Sequence, residues 1–377
     1  MSSRLLPTVS ALAGAAAVAA WISGAHIWIG PALIAAFASL GLYARTSERL
    51  GGFAFTIWVF AFVSASMAYP EAFIDWGGFE LKRLILPLIQ IIMFGMGTSL
   101  SLTDFKRALQ KPKAVGVCML LQFSVMPLAG WTLAKLFGFE PEVAAGVILI
   151  GSCSAGVASN VMVYLAKGSL ALGVTMTTAS TLLAPVMTPL AMKVLAGAYV
   201  PISFMEMMLE IIKMIILPVF GGLAFNKLLH GRIGWLDRIL PTMSMSAICF
   251  IIAIITALSR DKLLEVGLAL IAAAMIHNVI GYVLGYNGAR LLGLSERDSR
   301  TVAFEVGLQN GGMASGLAIN VLRSSDAALA PAIFGPWMNI SGSSLASYWR
   351  RRPVTDEDAA TTAAIEAAQR LALKKRH

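Results

Sequence analysis

Gly151-Ser152-Cys153-Ser154-Ala155-Gly156-Val157-Ala158-Ser159-Asn160 sets nine small or polar residues and one valine in the middle of an apolar run that extends over 143–166. A run of that length matches a bilayer, whose hydrocarbon core of about 30 Å takes about 20 residues of helix. A helix broken at membrane depth frees backbone carbonyls and amides, which is tolerated only where they face a cavity or bind something. Further on, Glu305-Val306-Gly307-Leu308-Gln309-Asn310-Gly311-Gly312 interrupts a second apolar run, 301–322. The two interruptions share one offset. Adding 156 carries residues 155–159 onto 311–315 and residues 119–122 onto 275–278. Paired breaks in corresponding positions of two halves point to a transport site. Small residues alone would serve close helix packing equally well; the polar side chains placed among them are what packing does not explain.

Outward from the breaks, apolar segments recur along the chain. Residues 53–72, 84–101, 114–134, 143–166 and 170–192 form one set of five, and 207–226, 240–259, 266–288, 301–322 and 328–348 a second. Five is odd, so the second copy crosses the membrane in the opposite sense, the inverted-repeat architecture of secondary transporters. Upstream, 5–22 and 27–43 read as an extra hairpin with 21–25 at its tip, giving twelve spans in all. Arg4, the apolar run after it and the small residues near Ala19 also resemble a signal peptide, but 18 apolar residues are long for a signal core. From Pro353 the chain is Ala-rich with mixed charge, a solvated tail over 351–377.

Composition agrees with this. Of 377 residues 58% are hydrophobic and 13% charged, about half the charge of a soluble domain. The net charge of +9 does not signal nucleic acid, because Lys and Arg sit in small groups between apolar segments. Counted over alternate loops they divide 20 (from Arg45 and Arg49 through Lys106, Lys167, Lys227 and Arg290 to the seven from Arg350 onward) against 7 (Lys82, Arg83, Lys135, Lys193, Arg260, Lys262, Arg323). The positive-inside bias puts the first set and the C-terminus in the cytoplasm of a cell (inner) membrane, in contact with lipid. Cys118, Cys153 and Cys249 lie in apolar segments as small hydrophobes, and the four histidines are scattered.

Glu305 is the chemical focus, because a carboxylate within an apolar span costs at least about 2.5 kcal/mol unless compensated. Gln309 and Asn310 follow it closely, and Gln122, Ser159, Asn160 and Thr177 offer neutral oxygens from other spans. One carboxylate among amide, hydroxyl and main-chain oxygens suits a hard cation. The low charge count favours a monovalent ion such as Na+ over Ca2+. A proton carried by Glu305 is the alternative, and an ion pair between Glu305 and Lys213, which also falls within a span, is the structural one.

The run Ile92-Met93-Phe94-Gly95-Met96-Gly97, the stretch Ala158-Ser159-Asn160-Val161-Met162 with Tyr164-Leu165-Ala166, the motif Glu305-Val306-Gly307-Leu308-Gln309-Asn310 and Asn339-Ile340-Ser341-Gly342-Ser343 together resemble the bile acid:sodium symporter family over about 53–350. The resemblance implies ten helices in two inverted five-helix repeats with crossing, broken fourth and ninth helices. A panel domain would comprise 53–101 and 207–259, and a core domain 114–192 and 266–348. Two sodium sites are implied: one from Ser159, Asn160, Thr177 and Glu305, the other from Gln122, Glu305 and Gln309 with main-chain oxygens of Val306 and Leu308. Gly173 stands where relatives can carry a serine ligand.

For the substrate, the resemblance places Asn310 and Asn339 on the cavity beside the crossover. Val157 replaces a threonine and Met338 a histidine of bile-acid-transporting relatives, which makes the pocket more apolar. The expectation is a monomeric sodium symporter of an organic anion, a bile or other steroid acid or a small carboxylate such as pantoate or a 2-oxo acid. A proton-coupled organic-anion antiporter is the rival. An intramembrane enzyme lacks a nucleophile with its base, His277 being the only candidate base in a span, and a non-transporting membrane scaffold would have no use for the ligand set.

Overall fold

The computed structural model describes residues 2–44, 46–47, 50, 53–98, 100, 111–229, 234–352 and 354; the expected tail beyond these lies outside the described residues. Among the described residues the regular structure is helical apart from a hairpin of two short strands, β1 (Asp75–Trp76) and β2 (Phe79–Glu80). In order the helices are α1 (Ser2–Ile22), α2 (Ile29–Ala44), α3 (Ala54–Ala68), α4 (Ile85–Thr98), α5 (Pro112–Leu136), α6 (Pro141–Ser152), α7 (Ala158–Leu165) and α8 (Leu170–Leu195). They continue with α9 (Phe204–Ile211), a π turn over Ile212–Ile216, α10 (Leu217–Leu229), α11 (Gly234–Leu258), α12 (Arg260–Leu291), α13 (Glu296–Gly307), α14 (Gly311–Asn320) and α15 (Ser325–Arg350).

Among the described residues seven helical stretches are long and apolar enough to cross a membrane, from Leu5–Ile22 and His26–Ala44 to Arg260–Leu291. The remaining expected spans are built differently. Ala54–Ala68 is short, α11 carries its apolar stretch over Thr242–Leu258, α15 is long enough at 26 residues but less apolar than the seven, and the segments expected at 143–166 and 301–322 are each two helices separated by non-helical residues. The N-terminal segment forms the expected helical hairpin, with α2 seated on α3 through the Phe37–Phe60 ring pair, 5.5 Å between centroids, and the close approach of Gly41 to Trp58.

The halves 112–195 and 260–350 follow one plan. Adding 156 to Pro141–Ser152 gives 297–308, against Glu296–Gly307, and adding it to Leu170–Leu195 gives 326–351, against Ser325–Arg350. The long first helices end alike, each on a left-handed glycine: Gly138 (φ 62°) after α5 and Gly293 (φ 76°) after α12. Phe139 and Leu294 then return their N–H groups to Ala134 and Ala289, satisfying carbonyls the helix end would orphan. Local chemistry also sets the helix starts. Proline opens α5 and α6, where the missing N–H costs nothing, and Ser295, Asn310 and Ser324 cap α13, α14 and α15.

The breaks meet at the centre. Gly156 N donates to Leu308 O (2.9 Å) and Asn310 N to Ser154 O (2.8 Å), so two short extended segments run antiparallel, with Ala155 opposite Gln309. A Cβ on Gly156 would stand 2.9 Å from the Gln309 carbonyl oxygen, so this approach requires glycine. The entire stretch 143–152 and α13 from Ser299 to its end are buried, enclosed by α5, α8, α12 and α15.

Lys213 is not the partner of Glu305. It lies in the π turn and pairs with Glu210 at 3.1 Å, while Glu305 is buried in α13.

Candidate functional site

Glu305 is in the last turn of α13 and is completely buried. Ser159 Oγ donates to its Oε1 at 2.5 Å and Thr177 Oγ1 to its Oε2 at 2.7 Å. Ser159 lies in the first turn of α7, directly after the first break, and Thr177 on α8. Each hydroxyl also faces a carbonyl, Gly156 O at 2.8 Å and Gly173 O at 3.0 Å. With one proton apiece, each can serve the carboxylate or the carbonyl, not both. Asn160 donates through Nδ2 to Thr177 Oγ1 (3.0 Å), while its Oδ1 is buried with no donor among the described residues. A Cβ on Gly173 would sit 2.8 Å from that Oδ1 and 3.6 Å from Glu305 Oε1. The four residues expected for the first sodium set are therefore together, with Asn160 Oδ1 and Glu305 Oε1 facing the bare backbone of Gly173. A buried acceptor without a donor costs about 1–3 kcal/mol. An ion held by oxygens alone removes that cost, and the donor set fits Na+.

The second set is also assembled but is engaged internally. Gln122 Nε2 donates to Cys153 O (2.8 Å) and Gln309 Oε1 (2.5 Å), and Gln309 Nε2 donates to Val306 O (2.6 Å). The Leu308 carbonyl receives Gly156 N. Both Glu305 oxygens face Ser159 and Thr177, so the structure joins Gln122, Gln309 and the Val306 carbonyl to one another and places the carboxylate with the first set. An ion here requires the two amides to turn their oxygens inward.

The residues expected at the substrate cavity differ in character. Asn310 is buried; its Oδ1 accepts from Met313 N (3.0 Å) as the cap of α14, leaving Nδ2 without an acceptor among the described residues. Asn339 is half-buried and spends its Nδ2 on Gly335 O, 2.9 Å, within α15. At Gly335 an added Cβ would meet nothing within 4 Å. Val157 is 39% exposed at the start of α7. Met338 is buried, its sulfur 3.1 Å from Gln309 N, so the thioether caps an amide freed by the second break.

The profile described as Sodium Bile acid symporter family matches residues 86–266. The "Uncharacterized sodium-dependent transporter YocS" of Bacillus subtilis is 37% identical over 308 residues, covering 82% of this chain and 94% of that one. The chain belongs to the sodium bile acid symporter family. Within the family it is also similar to "Probable sodium/metabolite cotransporter BASS1, chloroplastic" of Arabidopsis thaliana, 32% identical over 298 residues (79% of this chain, 73% of the other). The "Ileal sodium/bile acid cotransporter" of Homo sapiens is 31% identical over 235 residues (61% and 67%). As a member of this sodium symporter family, the protein is a multi-pass membrane transporter of the sodium-dependent class and not an enzyme.

Several residues that hold the ends of the broken helices carry no local sequence signal. Thr188 on α8 donates to Ser152 O at 2.7 Å, satisfying the end of α6. Asn278 on α12 donates to Gly307 O at 2.8 Å, doing the same for α13; only its position 156 residues beyond Gln122 marks it. Arg300, 2% exposed, pairs with Glu296 at 2.9 Å and donates to Ala166 O and Trp349 O, both at 3.2 Å. It thereby ties α13 to the ends of α7 and α15. His277 is a core histidine, its Nε2 3.1 Å from Met126 O between α12 and α5. The three cysteines are free and buried.

Proposed function

We propose that the protein is a sodium-coupled symporter of an organic anion, working as a monomer in the cell membrane with its C-terminus in the cytoplasm. One observation carries this reading: beside the two breaks lie two buried atoms of opposite demand with no partner among the described residues, the acceptor Asn160 Oδ1 and the donor Asn310 Nδ2. The first calls for a cation and the second for an anion. Helix N-termini at the start of α7 and α14 add positive partial charge on the anion side. Two sodium sites are proposed, Ser159, Asn160, Thr177 and Glu305 for one and Gln122, Glu305, Gln309 and the carbonyls of Val306 and Leu308 for the other. Glu305 partly neutralises both ions.

The offset-156 correspondence of 112–195 with 260–350 and the antiparallel meeting of the breaks support two inverted repeats. α3, α4, α10 and α11 pack together as the panel, with the N-terminal hairpin attached through α2, and α5–α8 with α12–α15 form the core. Sodium bound at the crossover fixes the broken ends and raises anion affinity, reciprocally; movement of core against panel then exposes the site to the other side. The buried Met338 sulfur and the Val157 side chain favour an apolar anion, a steroid acid over a small carboxylate such as pantoate or a 2-oxo acid. Relatives named for bile acid and for metabolite frame the same choice.

The test is a thermal-shift screen of organic anions in Na+ and in K+, followed by uptake of the hits into proteoliposomes. Stabilisation that requires Na+ and uptake that follows the sodium gradient are expected. Uptake that follows a pH gradient and ignores Na+ would replace this reading with the proton-coupled antiporter.

A further inference from the structure

Asn278 is 1% exposed in α12. Its Nδ2 donates to Gly307 O at 2.8 Å, and its Oδ1 accepts from Ser341 Oγ, which also lies 3.2 Å from Tyr282 Oη. The end of α13 leaves three consecutive carbonyls that the helix does not use. Val306 O is met by Gln309 Nε2 and Leu308 O by Gly156 N, both from the breaks themselves. Gly307 O alone is met from a continuous helix. Position 307 must be glycine, since a Cβ there would run into the Tyr282 ring. The Gly307–Leu308 peptide is held on its N–H side by the last turn of α13, Leu308 N donating to Phe304 O at 3.0 Å, and on its carbonyl side by Asn278. The corresponding residue of the other half, Gln122 (122 plus 156 is 278), likewise donates to a carbonyl at the end of a broken helix, Cys153 O, two residues beyond the position that matches Gly307.

The second contact of Asn278 leads to the helix of the anion cavity. Ser341 follows Asn339 by two residues on α15, and Met338 on the same helix accepts Gln309 N. Helix α15 is thus joined to the second break at two points, at Gly307 O through Asn278 and at Gln309 N, on either side of Leu308.

We infer that Asn278 is a positioning residue of the second sodium site, fixing the Gly307 peptide and hence the flanking Val306 and Leu308 carbonyls, and tying them through Ser341 to α15. The inference rests on the sodium assignment proposed above. Groups that orient metal ligands typically change affinity about 10–100-fold when removed.

The experiment is radioactive sodium binding to the purified full-length chain in detergent, titrated against a K+ background, for the unaltered protein, Asn278→Leu and Ser341→Ala, with the melting temperature in K+ recorded for each. Asn278→Leu is expected to raise the half-saturating Na+ of one of two ions about 10-fold or more, leaving the other in place, and Ser341→Ala to raise that same ion's value about threefold. A lowered melting temperature with an unchanged sodium titration would make Asn278 purely structural and overturn the inference. Should Asn278→Leu fail to fold, Ser341→Ala decides, an unchanged titration again overturning it. Absence of sodium binding by the unaltered protein overturns the sodium assignment itself, and this inference with it, which separates the two failures.

Discussion

Oδ1 of Asn160 lies 2.8 Å from the point where a Cβ on Gly173 would stand. The amide oxygen has no donor among the described residues, and only the missing side chain of Gly173 leaves room in front of it. Gly173→Ala fills that space with a methyl group and pushes the oxygen aside, an overpacking cost of about 1–3 kcal/mol. Half-saturating Na+ should rise about tenfold or more. Gly173→Ser places the same Cβ there but carries beyond it a hydroxyl able to ligate the ion, and should hold sodium affinity closer to that of the unaltered protein. Sodium titrations of the two variants test this, and equal curves would remove Gly173 from the site.

Glu305→Gln keeps the shape and one of the two hydrogen bonds accepted from Ser159 and Thr177, the other hydroxyl now facing an amide donor, but deletes the charge proposed to serve both ions. Loss of one partner of a buried charge pair costs about 3–5 kcal/mol, so sodium affinity should fall by more than about 100-fold. Sodium-driven uptake should vanish while the protein stays monodisperse in detergent. Retained uptake would sink the assignment of Glu305.

Asn310→Asp separates two roles of one side chain. Aspartate caps a helix about as well as asparagine, so the bond from Met313 N, 3.0 Å, should persist and α14 remain in place. The unpartnered Nδ2 is replaced by a negative oxygen facing the anion. Anion-dependent thermal stabilisation should disappear while sodium binding is kept, and an anion response equal to that of the unaltered protein would place the anion elsewhere.

Stability should follow the closeness of helix crossings. A Cβ on Gly146 would stand 2.8 Å from the Ala327 carbonyl carbon, forcing α6 and α15 apart, whereas one on Gly116 in α5 would meet nothing within 4 Å. Gly146→Ala should cost about 1–3 kcal/mol. Gly116→Ala should be neutral or stabilise by about 0.5–1 kcal/mol through helix propensity. Melting curves of the detergent-purified variants check the contrast.

The breaks were legible because they are local: glycine, serine and asparagine set in apolar runs read as non-helical residues at 153–157 and 308–310. Membrane segments were legible for the same reason, with boundaries shifted by a few residues where capping chemistry decides them. Residue chemistry offered Ser159 and Thr177 as oxygens for Glu305, but their assignment to one site came through likeness to a family, since 146 and 128 residues separate the two hydroxyls from the carboxylate. Lys213 shows the limit of local reading. A cation within a span suggested Glu305 as its partner, yet Glu210, one turn away on the same helical stretch, holds it.

The sequence by itself determined that this chain is a membrane protein, where its spans lie, where two of them break and to which family it belongs, because hydropathy and motif are properties of neighbouring residues. Only the tertiary structure decided which polar groups meet. It paired Gln122 with Gln309, set Glu305 against Ser159 and Thr177, put the Met338 sulfur on Gln309 N and left Asn160 Oδ1 and Asn310 Nδ2 without partners among the described residues. The physical reason is that a hydrogen bond in an apolar interior depends on distances of about 3 Å between helices remote in sequence. Those distances are fixed by how the helices cross, not by the composition of any one of them.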